Sequence, residues 1–158
     1  LGLMKRNDGS LCSSPEISLI QVVNTHFPGN RLTAPARDDP NRTVNVHSGE
    51  ASFITEEAAT EALHTFGPMK AAGMDEFPPC VFQHFGDDAI KRLVRLFKVS
   101  YLLGYVPTLW REAKTIFIPK PGKKDYSEPR AFRPITLSSF MIKIMERIIL
   151  WHLNEVYF

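Results

Sequence analysis

Two cysteines, Cys12 and Cys80, are all the thiol chemistry in these 158 residues. Thiols so few and so far apart exclude a disulfide-stapled scaffold and a metal knuckle, and read as free thiols of a reducing compartment. The five histidines (His26, His47, His64, His84 and His152) are scattered without ligand spacing, so no zinc site is expected. No stretch of apolar residues reaches the 18 or more that a membrane-crossing helix needs. The first residues, Leu1 to Asp8, lack the apolar core of a secretory signal. No internal repeat is visible, and strand-like and helix-like segments do not alternate as a parallel α/β fold requires. Net charge is slight, +2 from 19 bases and 17 acids.

What is present is an apolar fraction of 44%, enough to argue against global disorder, with eleven Phe and twelve Pro, which suggest a packed but much-interrupted chain. Residues 1–50 read as a loop-rich extension. Their one apolar island, Ile17 to Val23 after Pro15-Glu16, predicts a short helix from about Pro15 to Thr25. Segment 28–50, which includes Asp38-Asp39 before Pro40, reads as a long loop or linker. From residue 51 onward helices dominate. Thr55 can cap a helix with two acids in its first turn and Ala59, Ala62, Leu63 and Phe66 on one face, stopped by Gly67-Pro68. Residues 67–86 are irregular, with a short helix around Cys80–Phe85. Asp87 and Asp88, explained as capping residues rather than metal ligands, open a helix. It carries Ile90, Leu93, Val94, Phe97, Tyr101 and Leu102 on one face and Lys91, Arg92, Arg95 and Lys98 on the other, and ends at Gly104. Ser138 or Ser139 caps a last helix with Phe140, Met141, Ile144, Met145, Ile148, Ile149 and Leu153 inward.

Between the last two helices lies the most informative stretch. Thr115-Ile116-Phe117-Ile118 is β-type and halted by Pro119. A turn-rich basic loop follows, then a second short run, Phe132-Arg133-Pro134-Ile135, so residues 112–137 predict a hairpin-like pair of strands. From Arg111 to Arg133 there are seven bases and three acids, a local +4, against ten bases and twelve acids in residues 1–110 and balance in the last 25. A concentrated cationic loop suits phosphate contact. Helices, two short strands and a helix make the fold class α+β, helix-rich.

The same stretch carries a resemblance. Ile118-Pro119-Lys120-Pro121-Gly122-Lys123, Phe132-Arg133-Pro134-Ile135-Thr136-Leu137 and Lys143-Ile144-Met145-Glu146-Arg147 resemble the opening of the reverse transcriptase domain of LINE-type (non-LTR) retrotransposons, in the pattern of the insect jockey-like group. Upstream, His26-Phe27-Pro28-Gly29, Lys70-Ala71-Ala72-Gly73-Met74-Asp75 and Gly104-Tyr105-Val106-Pro107 with Trp110-Arg111 agree in order. The resemblance implies that residues 51–158 are the fingers and the start of the palm of a right-hand polymerase. It implies nucleotide binding by Lys120 and Arg133, whose cations stabilise charge on a leaving pyrophosphate. Lys123, Lys124 and Arg130 would track the phosphates of the template strand. The parent activity would be RNA-directed DNA polymerisation with Mg2+, using an RNA template, a DNA primer and deoxynucleotide triphosphates. The parent would work inside the cell, in nucleus and cytoplasm, with no membrane partner.

Two departures stand out: Met74 and Glu76 occupy positions where the family carries Pro and Gly. Gly73 is expected to serve the conformation of a packed loop, and Phe132, Phe140 and Trp110 to pack in the core. The family's metal-binding aspartates, one in an early palm strand and a pair in a Tyr/Phe-x-Asp-Asp turn, find no counterpart here. Both ends read as cuts from a longer polyprotein, and the fragment is expected to be inactive alone. Two readings of other classes are a non-catalytic nucleic-acid-binding module and a helical interaction domain with a basic loop.

Overall fold

The computed structural model describes residues 2–29 and 50–158. The linker expected over 28–50, with Asp38, Asp39 and His47, therefore lies almost wholly outside the described residues. Six helices occur among them: α1 (Pro15–His26), α2 (Glu56–His64), α3 (Pro79–Gln83), α4 (Asp87–Leu102), α5 (Thr108–Arg111) and α6 (Phe140–Tyr157). Two strands, β1 (Ala113–Pro119) and β2 (Phe132–Ser138), pair as one sheet. The chain divides into two compact units, Leu1–Arg37 with Thr115–Thr136, and Asp38–Lys114 with Leu137–Phe158.

The smaller unit is built on the strand pair. Thr115 faces Thr136 through their hydroxyls at 3.3 Å, and the Lys120 amide donates to the Ala131 carbonyl at 2.8 Å. Both pairs fit one antiparallel register, two residues out on one strand for two back on the other. Each strand runs a residue or more beyond its β-branched centre. Phe117 and Phe132 point to the inner side, where Met4, Cys12, Val22 and Ala131 complete a small core. α1 begins at Ser14, whose hydroxyl accepts from the Ile17 amide, with Pro15 at its first position. Only Ser18 and Val22 of this helix are buried, while Ile17, Leu19 and Ile20 are exposed. A contiguous apolar run cannot face one way on a helix of 3.6 residues per turn. The inner stripe is the i, i+4 pair, and Ser18 holds its place because its hydroxyl accepts the buried Met4 amide.

The larger unit buries a core of Ile54, Ala59, Leu63, Phe97, Phe140, Ile144 and Ile148 with their neighbours. α2 is capped by Thr55, which accepts from the Ala58 amide, and ends at His64, before Phe66. Gln83 donates to both the Leu63 and Phe66 carbonyls, so those groups are satisfied without another helical turn. α3 covers Pro79–Gln83, shorter than expected. α4 corrects a capping assignment: its cap is Gly86, without a side-chain hydrogen bond, and Asp87 and Asp88 lie inside the first turn. They favour the helix through its dipole rather than by capping an amide.

Gly104, at φ 56°, takes the left-handed turn that closes α4. The one-turn α5, not foreseen from the sequence, follows Pro107 and brings Trp110 edge-on to Phe97 at 5.8 Å. Trp110, Phe132 and Phe140 are all buried. α6 starts at Ser139, not Ser138. Leu153, expected inward, is exposed, because the last buried residue is Ile148 and the helix continues beyond its core.

Candidate nucleotide and nucleic-acid site

The hairpin loop is a set of cations whose acids are already spoken for. Asp125 accepts from the Ser127 amide at 2.8 Å and hydroxyl at 2.6 Å through one oxygen, and from Lys5 Nζ at 2.5 Å through the other. Lys5 also stands 3.6 Å from Glu128. The Lys5 hydrogen bond, followed by those of Ser127, holds the Asp125 carboxyl well below the usual carboxylate range, and Asp125 in turn raises Lys5. The Lys5 amide donates to the Ser127 carbonyl at 2.8 Å, and its own segment is fixed by a bridge to Leu11. Sequence spacing gave no hint of this partner, which lies 120 residues before Asp125.

Lys5 stands against both loop acids and offsets one of their two charges, and Lys120, Lys123, Lys124, Arg130 and Arg133 form no ion pair among the described residues, so the loop end with Lys5 keeps a net charge of +4. All five occupy the loop end of the hairpin, between the close of β1 and the second residue of β2. Lys123, Lys124, Arg130 and Arg133 are exposed and Lys120 is half-buried. The Lys120 Nζ donates to the Arg130 carbonyl at 2.9 Å, and the Lys120 carbonyl accepts from the Tyr126 hydroxyl at 2.9 Å. That ammonium is thus held against the loop backbone with two of its three protons free for another acceptor. Gly122, at φ 75°, makes the turn.

Strand alternation decides what Arg133 shares its face with. Phe132 and Pro134 turn inward, so Arg133 and Ile135 turn outward. By the register above, Ile118 lies opposite Arg133 and Ile116 opposite Ile135. All three isoleucines are exposed, at 48%, 40% and 40% for Ile118, Ile116 and Ile135. A guanidinium beside a flat aliphatic surface suits a ligand with an anionic group attached to an apolar or planar body.

In the larger unit, the segment 70–76 is locked to the start of α6. A Cβ on Gly73 would sit 2.5 Å from the Ser138 carbonyl carbon and 2.6 Å from the Ser139 amide nitrogen, so only glycine fits. Ser139 is fully buried; its hydroxyl donates to Asp75 Oδ2 at 2.5 Å and accepts from the Met141 amide at 3.1 Å. Asp75 Oδ1 is buried without a hydrogen-bond partner. Its charge stands beside the amino end of α6, where the helix dipole favours an anion. Nearby Lys143 has its ammonium pushed down by burial, with Asp75 and Glu146 opposing the shift, and lies 4.2 Å from the Phe140 ring centre. Glu76 has φ 59°. This is the position where the resembled family has glycine, and the left-handed backbone supplies the physical reason.

Among the described residues no three His, Cys, Asp or Glu side chains gather as metal ligands.

No family model matches the chain. It is 30% identical over 103 residues, 65% of its length, to a probable RNA-directed DNA polymerase from transposon BS of Drosophila melanogaster. It is 31% identical over 99 residues, 63% of its length, to the RNA-directed DNA polymerase from mobile element jockey of the same organism. Over 59 residues, 37% of its length, it is 42% identical to a retrovirus-related Pol polyprotein from type-1 retrotransposable element R2 of Popillia japonica. The chain spans only 11% of each of the first two relatives and 8% of the third.

Two outcomes follow. Replacing Glu76 by Gly should stabilise the chain by up to about 1 kcal/mol, the left-handed penalty less the entropy glycine adds to the unfolded chain; the urea midpoint reads it. Lys5→Ala should lower stability by an amount that is constant from about pH 5 to 9, because the depressed Asp125 is charged throughout that window. Below about pH 4 the difference should shrink progressively, because the unfolded chain takes up the Asp125 proton at its ordinary value while the folded carboxyl, held well below it, stays charged until the pH falls much further. Urea midpoints of the two proteins across pH test this sign.

Proposed function

We propose that this chain, a reverse-transcriptase-like fragment of the non-LTR retrotransposon type, supplies the nucleotide-facing and template-facing cations of an RNA-directed DNA polymerase. The observation that carries the proposal is the loop end of the hairpin. Five cations stand there without ion-pair partners among the described residues, and Lys5 stands against the two neighbouring acids and offsets one of their charges. In a polymerase this would be part of the fingers. Arg133, outward on β2 beside Ile118, is the group best placed to fork onto a phosphate while a sugar or base rests on the aliphatic face. Lys120, held by the Arg130 carbonyl, adds a point charge for the same triphosphate. Lys123, Lys124 and Arg130 would meet the template's phosphates without reading its sequence.

The part of the reaction proposed for these residues is binding and orientation. The parent would work in the nucleus and cytoplasm. The fragment alone should give no templated extension in a primer-extension assay with Mg2+ and a homopolymer RNA template; extension by pure protein would overturn that reading. In an intact enzyme carrying this segment, Lys120→Ala and Arg133→Ala should each lower catalytic efficiency for nucleotide roughly ten- to hundred-fold. That is the loss of one charge-assisted contact of about 1.5–3 kcal/mol. Lys123→Ala and Lys124→Ala should leave it near wild type and change only the salt dependence of RNA binding. Equal losses from all four would reduce the loop to a diffuse positive field, as in a nucleic-acid-binding module without nucleotide contacts.

A further inference from the structure

The solvent face of α4 carries a charge pattern that the hairpin does not explain. Lys91, Arg92, Arg95 and Lys98 fall within an arc of about 120° on a helix that turns 100° per residue. Ile90, Leu93, Val94 and Phe97 line the opposite, buried face. Asp87 and Asp88 lie one turn before Lys91 and Arg92, yet none of the four cations makes an ion pair among the described residues. No acid lies within a turn of Arg95 or Lys98, and residues 89–111 contain five bases and no acid. The surroundings make this unusual. The larger unit as a whole has ten bases against thirteen acids, a net −3, and four of those ten bases are on this single face. A unit that is otherwise acidic has gathered its positive charge along roughly 10 Å of helix axis.

We infer that the outer face of α4 is a second, sequence-independent contact surface for the phosphate backbone of a nucleic acid. Four cations spaced along a rigid helix suit a polyanion with regularly spaced charges, and backbone contacts of this kind position a strand without reading it. An anionic membrane is the weaker match. Interfacial helices bind by sinking a broad apolar face, and the apolar face of α4 is committed to the core, leaving only Leu96, Val99 and Leu103 exposed beside the cations. The inference leans on the function proposed above only in taking nucleic acid as the partner; it uses none of the hairpin residues.

The test uses the whole 158-residue chain and a fluorescein-labelled single-stranded uridine oligonucleotide, with affinity followed against KCl concentration. The variant Lys91→Gln/Arg92→Gln/Arg95→Gln/Lys98→Gln should bind at least tenfold more weakly at low salt. Its slope of log affinity against log salt should fall by about 2–3, the counterion release of four contacts on a single strand. Lys123→Gln/Lys124→Gln serves as the parallel variant. If the α4 variant binds like wild type while the hairpin variant is weakened, the inference is wrong and the hairpin reading stands. If the α4 variant alone is weakened, the inference stands and the template role of the hairpin fails. Wild type that does not bind the oligonucleotide, or that binds phosphatidylserine vesicles through these four residues in preference to it, overturns the inference. Should the fourfold variant lose its circular dichroism, photocrosslinking of the oligonucleotide to wild type decides: adducts must fall within residues 89–103.

Discussion

Gly73 lies so close to the backbone of Ser138 and Ser139 that no side chain can enter, and the larger unit is organised around that contact. The approach brings Asp75 to the Ser139 hydroxyl, and that hydroxyl also accepts the Met141 amide. One buried serine thereby ends β2, starts α6 and ties both to segment 70–76. α6 in turn contributes Phe140, Ile144, Met145 and Ile148 to the core. The starting point of α6 decides which of its residues point inward. A shift of one residue would rotate that stripe by 100° and take the four out of register with α2 and α5. A packing constraint at a glycine is thus converted into the orientation of the longest helix.

The smaller unit rests on a charge arrangement. Lys5 gives up its ammonium to Asp125 and Glu128 and its amide to Ser127. The consequence is electrostatic as much as structural. A surface ion pair contributes little stability, but this one offsets one of the two acid charges in a loop whose other charges are all positive. A polyanion approaching the loop meets a field that remains positive, with Lys5 beside the two carboxylates. Surface placement also leaves the arrangement open to salt screening, as phosphate contacts themselves are.

Local signals in the sequence were enough for most elements and failed wherever a distant residue decided. Thr55 and Ser14 act at helix starts as their residue types suggest, and Gly104 ends α4 as a left-handed glycine. The strand pair was legible because β-branched runs flank a Pro-Gly loop. Gln83 ended α2 early by taking the carbonyls of Leu63 and Phe66, something no pattern inside α2 could reveal. Ser18 displaced isoleucines from the inner face of α1 because an amide at Met4 needed an acceptor. At the candidate site the five cations could be picked out by charge density and by resemblance. The neutralising partner Lys5 could not, since nothing local links residue 5 to residue 125.

Segment 73–76 concentrates the departures from local rules: a glycine without room for a methyl group, a carboxylate oxygen buried without a donor, and a glutamate in left-handed backbone. The unpartnered carboxylate oxygen and the left-handed glutamate cost free energy, on the order of 1–3 kcal/mol each, and persist only where surrounding contacts over-determine them. Here the surrounding contacts are the Ser139 hydrogen bond, the crowding at Ser138 and the amino end of α6. All of them fix geometry. The segment therefore belongs with the parts that position others, while the cations without ion-pair partners among the described residues include those of the hairpin loop and of α4. Departure from local rules at a junction and unpaired charge at the surface are separate signatures, and in this chain they fall on separate residues.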